Sequence, residues 1–387
     1  MKPCRCLIPA LLVTSAVSTA QDALLNKGDV ARIVDEYLSA QQAADPSPFD
    51  ALSIYGDLRL RQEQTTGLSG APQRHRSRVR LRLGSTWLAH ENLEVGARAV
   101  TGSRLDPRSS HVTLGDGLDG LELSLDRAYA TWRPQLGPIT WVSAGKFSNP
   151  VRRNPVYGEL VWDADIQPEG LALEAAWSPR GWLDSLELSL GQWLLSEQQL
   201  GDDAVCTFGQ VALQSRLQEG VETHMSAALT LVHDPTPGVS SILLDDNRGN
   251  NVIAGDFAEN FGVLDVNADV SLSGAGTPWV VSAEWIDNVR ASQTQNGWAT
   301  GVAWGRAARA GDWRVYYQWQ SIDRDAVFSP FAQDDFTRAT GFDSHLLGVN
   351  HQLTDGVGLH LWGMVSEASE LSSNNEWRLR LDLNVKF

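Results

Sequence analysis

With 387 residues, 31 Lys+Arg against 47 Asp+Glu and a formal charge of −16, the chain is too acidic for nucleic-acid binding to be its main business. Apolar content is an ordinary 42%, but 15 Trp is high, and Trp is favoured where one end of a ring sits in lipid and the other in water. Beyond residue 20 no run of about 18 apolar residues occurs, which excludes a helical membrane protein and leaves an exported soluble protein or a transmembrane β-barrel.

Residues 1–20 read as a signal peptide. Lys2 and Arg5 form a positive start, residues 7–17 an apolar core too short to span a bilayer, and Ser18-Thr19-Ala20 a small-residue cleavage site before Gln21. Cleavage removes both basic residues and leaves 29 against 47, a mature charge of −18. Cys4 and Cys6 leave with the signal, and the remaining Cys206 has no internal disulfide partner and reads as an inert small side chain. Residues 21–50 predict a short periplasmic amphipathic helix and linker: Leu24, Ile33, Val34, Tyr37 and Leu38 fall at helical spacing, and Asp45-Pro46-Ser47-Pro48 stops the run.

From Leu52 the period changes to two. Leu58 and Leu60 oppose Asp57, Arg59 and Arg61; Val79, Leu81 and Leu83 oppose Arg78, Arg80 and Arg82; Trp377, Leu379, Leu381, Leu383, Val385 and Phe387 oppose Arg378, Arg380, Asp382, Asn384 and Lys386. Successive strand residues point to opposite faces, so each segment has one oily and one wet side. Sixteen such segments are predicted, at 52–63, 75–88, 91–102, 119–133, 138–147, 167–178, 183–195, 206–217, 221–233, 262–272, 278–287, 296–306, 312–322, 342–352, 356–366 and 375–387. The fourth is imperfect, because Arg127 shares parity with Leu121, Leu123 and Leu125; a bulge or a place at the membrane rim accounts for it.

The connections alternate long and short. Long ones fall near 64–74, 103–118, 148–166, 196–205, 234–261, 288–295, 323–341 and 367–374, and are expected to be external; the short ones between them are expected to be periplasmic turns. A soluble β-sandwich or propeller also alternates, but has no reason to sort its loops by length. The expected fold is an all-β, antiparallel, up-and-down transmembrane β-barrel of about 16 strands over residues 51–387, preceded by the periplasmic helix.

Several stretches resemble the putative porins of the Gram-negative outer membrane: residues 56–61, the basic run at 76–84, Leu125-Asp126-Arg127-Ala128-Tyr129-Ala130-Thr131-Trp132, Ala144-Gly145-Lys146-Phe147-Ser148-Asn149-Pro150, and residues 163–171. Phe387 on its alternating strand resembles the outer-membrane assembly signal. The resemblance covers most of the mature chain and is dense over about 52–177; the amphipathic leader departs from it. It implies a pore without a cofactor, in the outer membrane. The partners expected are membrane lipid and lipopolysaccharide, the barrel-assembly machinery and small solutes, with a homotrimer open to it.

The sharpest local feature is a basic wall. Arg59, Arg61, Arg76, Arg78, Arg80, Arg82 and Arg98 lie on polar faces of the first three strands, and barrel closure brings Arg378 and Arg380 beside them. Mid-membrane charge on the lipid face costs a few kcal/mol, so these face the lumen or the rim, as solvated wall residues paired with acids or as a field across a pore. Their local charge is expected to outweigh the distant loops, which are screened beyond ~8–10 Å, and to favour small anionic solutes such as carboxylates. The third long connection, with Arg152, Arg153, Glu159, Asp163 and Asp165, is either a plain external loop or, as the resemblance to general porins in strand count implies, an inward fold that forms the constriction.

No catalytic or metal-ligand spacing stands out. His224 or His345 offers one member of a triad, but nothing fixes the others, and Asp245-Asp246 and Asp334-Asp335 read as solvated pairs rather than cation sites. Two functions follow: a diffusion channel, or a barrel with a hydrolase or purely structural role. Barrels of about 16 strands leave an aqueous path, which favours the channel.

Overall fold

The computed structural model describes residues 32, 51–66, 73–103, 105–179, 181–197, 203–235, 242–274, 276–368 and 375–387. The chain divides into two units, Met1–Ala51 and Leu52–Phe387. The signal peptide and, apart from Arg32, the expected leader helix lie outside the described residues.

The second unit is built from β1 (Leu52–Thr66), β2 (Arg74–His90), β3 (Leu93–Thr101), β4 (Leu123–Trp132), β5 (Ile139–Lys146), β6 (Glu169–Trp177), β7 (Ser185–Ser196) and β8 (Ala204–Gln218). It continues through β9 (Val221–His233), β10 (Gly262–Leu272), β11 (Trp279–Asn288), β12 (Asn296–Gly305), β13 (Trp313–Ile322), β14 (Phe342–Thr354), β15 (Val357–Ala368) and β16 (Glu376–Lys386). Each strand pairs antiparallel with the next, and β16 returns to β1 over ten register pairs from Asp57↔Lys386 to Thr66↔Trp377. The sheet has 17 strands by hydrogen bonding; the extra one is the two-residue piece Val112–Thr113 beside β2, and the other 16 close the barrel. All sixteen predicted segments appear.

Closure leaves no free sheet edge, and the oily parity faces outward all round the ring: Leu60, Leu83, Leu190, Val281, Leu361 and Leu381 are exposed. Trp87, Trp132, Trp279, Trp285, Trp298, Trp304 and Trp377, near strand ends, share this outward parity; Trp141 instead packs inward against residues that cover the lumen. The fourth strand begins at Leu123, later than its pattern suggested, and its parity fault is a bulge. Arg98 opposes Arg127 while Ala99 opposes Leu125, so Asp126 is the extra residue. Leu125 and Ala128 thereby stay on the lipid face while Asp126 and Arg127 both serve the inner side, where Arg98 holds Asp126.

The core sits inside the ring. Inward apolar residues on the loop-side halves of several strands, among them Trp193, Phe208, Ile286, Ile322, Phe342, Leu346 and Met364, pack against Leu160, Val161, Trp162 and Ile166 from the third long connection and Ala326, Val327, Ala332 and Phe336 from the seventh.

Candidate functional site

The third long connection leaves β5 at Lys146, crosses the lumen and returns at β6. Its backbone meets inward side chains on the far wall: Arg152 N donates to Gln210 of β8 at 2.7 Å, Arg314 of β13 donates to Pro155 O at 3.0 Å, and Gln318 donates to Tyr157 O at 3.0 Å. Val156 is seated on β12 at Gly301, where a Cβ would come within 2.8 Å of the valine side chain; only a glycine permits that approach.

The seventh long connection, expected outside, also folds inward, and this corrects the reading of residues 323–341 as an external loop. Phe331 stacks on Trp162 with centroids 5.8 Å apart, Asp163 N donates to Phe331 O at 2.8 Å, and Gln333 N donates to Glu159 O at 3.1 Å. Asp335, read as solvated, is buried and ion-paired with Arg380, while Thr337 N donates to Glu376 at 3.0 Å. Arg108, almost fully buried, ties the second connection to the seventh and fifth through Ser329 O and Asp246 O. The inward apolar residues Phe342, Leu346, Trp362 and Met364 on β14 and β15 are the sequence signal that something covers that wall from within.

Two cavities flank the third loop. The larger, about 710 Å³, is lined by the short-turn ends of β10–β13 and by loop residues 154–159. The smaller, about 180 Å³, lies between the basic wall and the two in-folded loops. Arg59, Glu159 and Trp362 line both, so the cavities meet there. Trp362 is wedged by Arg61 and Arg380, whose guanidinium carbons lie 5.5 and 4.9 Å from the ring centroid, and by His360 stacked at 5.0 Å.

Of the predicted wall, Arg59, Arg61, Arg80 and Arg82 line the smaller cavity. Arg59 bonds Asn384 at 2.7 Å, Arg61 grips Asp382 at 2.7 and 2.9 Å, Arg80 bonds Asp57 at 2.6 Å, and Arg82 pairs with Asp165 of the third loop. The others are outside its lining. Arg76 pairs with Glu63, Arg78 bonds Ser109 and His111 O, Arg98 pairs with Asp126, Arg378 bonds Glu376, and Arg380 is buried between Glu63 and Asp335. Of the loop set, Arg152 approaches Glu187 at 4.0 Å and Arg153 donates to Asp163 O at 3.1 Å.

Five arginines and five carboxylates line the smaller cavity. The carboxylates are not equivalent. Burial, with Glu159 beside it, pushes Asp163 well above the ordinary carboxylate range, and burial also pushes Glu159 up. In spite of its burial, Arg82 and Arg80 hold Asp165 down to about 2, with Ser110 donating to it at 2.7 Å. His111, also lining the cavity, is pushed well below its usual value by burial and by the arginines around it. A neutral His111 and a reluctant Asp163–Glu159 pair weaken the acidic side of the cavity, while Asp165 stays ionised beside Arg80 and Arg82.

The histidines weighed for catalysis form no triad. His224 lies 2.9 Å from Asp269, but among the described residues no serine hydroxyl bonds to it, and His345 sits on the outer face against Tyr317.

A family model described as putative porin matches residues 27–181. A search of curated proteins returns no match. Among solved structures the chain is similar to Pseudomonas putida OprB in its high-pH form, with 9% identity over 87% of this chain and 94% of that one and a TM-score of 0.56. It is similar to Salmonella typhi OmpF, solved with daunomycin, with 10% identity over 87% and 97% of the two chains and a TM-score of 0.51. A loop-deletion form of OmpT, an outer membrane protein of Vibrio cholerae, gives 11% identity over 87% and 100% and a TM-score of 0.50. At these identities the likeness establishes the fold. The family match over residues 27–181 and the closed sixteen-strand ring give this chain a porin-like β-barrel fold.

Proposed function

We propose that the barrel is a passive channel for small polar solutes, with a neck at Arg59, Glu159 and Trp362 that favours anions. The observation that carries this reading is the pair of lumenal cavities meeting at those three residues, one facing the short-turn mouth and the other bounded by arginines. In this reading Arg59, Arg61, Arg80 and Arg82 form the positive side of the neck. Glu159, Asp163 and Asp165 form the negative side, and Arg76, Arg78, Arg98, Arg378 and Arg380 brace the wall. Paired arginines still act on a passing anion at contact range, because a nearby dipole is felt more strongly in a low-dielectric ring than in bulk water. The channel acts without chemistry. It is exported by a cleaved signal, inserted by the barrel-assembly machinery through the Phe387 strand, and surrounded by lipid and lipopolysaccharide, with a homotrimer as its assembly. Swelling of proteoliposomes in neutral sugars tests the passive path, and the zero-current potential in a potassium chloride gradient tests the preference. Swelling with an anion-directed potential is expected; swelling with a cation-directed potential would overturn the assignment of the neck.

A further inference from the structure

We infer that the inner wall between β10 and β11 holds a divalent-cation site beneath the third loop, made of oxygen ligands from Asp265, Glu284 and Asn267. The three are 5, 5 and 6% exposed and share the inward parity. Asn267 is directly opposite Glu284 in the register, and Asp265, two residues earlier, is the diagonal neighbour. A diagonal spacing of about 7–8 Å between backbone positions lets two carboxylates reach one ion at ~2.3–2.6 Å.

Charge makes the arrangement unusual. Among the described residues neither carboxylate is held in an ion pair: Asp265 accepts from Asn267 and Glu284 from Asn154. Two other lumenal acids, Glu63 and Asp382, are matched with guanidinium groups, those of Arg380 and Arg61. Two buried carboxylates without a counter-charge are costly, and an ion between them removes that cost.

Asn267 supplies the independent sign. Its Nδ2 donates to Asp265 Oδ1 at 2.8 Å, which fixes the amide against the pair, while its buried Oδ1 has no hydrogen-bond partner. A buried carbonyl oxygen that accepts from no donor, beside two carboxylates, is free to serve as a third oxygen ligand. From the loop side Asn154 Nδ2 donates to Glu284 Oε2 at 3.2 Å, and Ser282 Oγ donates to Asn154 Oδ1 at 2.8 Å, so the site lies where the loop is tied to the wall. The donor set is all oxygen, which suits calcium or magnesium rather than zinc or copper. No third carboxylate, histidine or cysteine joins it among the described residues, so waters complete the shell and the dissociation constant is on the order of 10⁻⁴–10⁻³ M.

The test is calcium binding to the purified, folded, full-length barrel against Asp265→Asn/Glu284→Gln, which keeps shape and removes charge. The native protein is expected to bind one calcium per chain more than the variant, and calcium is expected to shift carboxylate bands in its infrared spectrum that the variant lacks. Equal stoichiometry would overturn the site. Should the double variant not assemble, Glu284→Gln alone takes its place, and binding of as much calcium by that variant as by the native protein means the pair holds no ion.

Discussion

Arg59 and Arg78 stand on neighbouring strands with the same inward parity, yet their surroundings differ. Arg59 keeps about a quarter of its side chain exposed and lines both cavities, whereas Arg78 is buried against Ser109 and His111 O. Arg59→Gln is therefore expected to lower the anion-to-cation permeability ratio about two- to fivefold, the effect of up to about 1 kcal/mol of charge interaction in water. Arg78→Gln should leave the ratio nearly unchanged; equal shifts in the two variants would show that the neck is not at Arg59. The inward parity of both arginines was legible in the sequence. Their partners were not, because ring closure and loop folding choose them: Glu63 and Arg380 lie 317 residues apart.

The acids of the neck make a second prediction at this scale. Glu159 and Asp163 have raised pKa values, so their protonated forms persist above the usual carboxylate range, and rising pH adds negative charge to the neck. Anion preference should fall from mildly acidic to alkaline solution, and Glu159→Gln should flatten that dependence. The folded state also holds more protons than the unfolded chain between the ordinary and raised pKa, so these two groups lower stability as pH rises through that window. An anion preference that grows with pH would contradict the assignment.

At the scale of elements, the third and seventh connections behave as packed inserts. Phe336 packs on Phe342 with centroids 5.2 Å apart and is almost fully buried, so Phe336→Ala should cost about 3–5 kcal/mol of local packing. The readout is protease cleavage within residues 323–341 in the intact barrel; unchanged resistance would mean that the seventh loop is held by its ion pairs alone. Gly301→Val should displace Val156 and alter single-channel conductance without preventing assembly. The strands were legible because period two must be kept wherever one face meets lipid. The bulge at Asp126 showed as a broken parity. The inward fold of the seventh loop did not show in loop length, which is alike for inserts and external loops; it was written in the inward Phe342, Leu346, Trp362 and Met364, which a wholly wet lumen would not carry.

At the scale of the whole molecule the seam between β1 and β16 decides closure. Gly56 N donates to Phe387 O at 2.8 Å and Phe387 N to Gly56 O at 3.0 Å, and the Phe387 ring covers Gly56, where any Cβ would meet it. Deleting Phe387 removes both hydrogen bonds and the oily end of the last strand, and should lower the heat-modifiable folded fraction in the outer membrane. Alternation and loop sorting made the ring legible, since closure is the way a sheet satisfies its backbone in lipid.

The central claim is that this ring encloses a conducting neck rather than a filled plug. The direct measurement is the conductance of the purified protein in a planar bilayer with a potassium chloride gradient. Discrete, roughly ohmic steps with a zero-current potential on the anion side are predicted; a folded, inserted barrel that passes no ions would contradict the account.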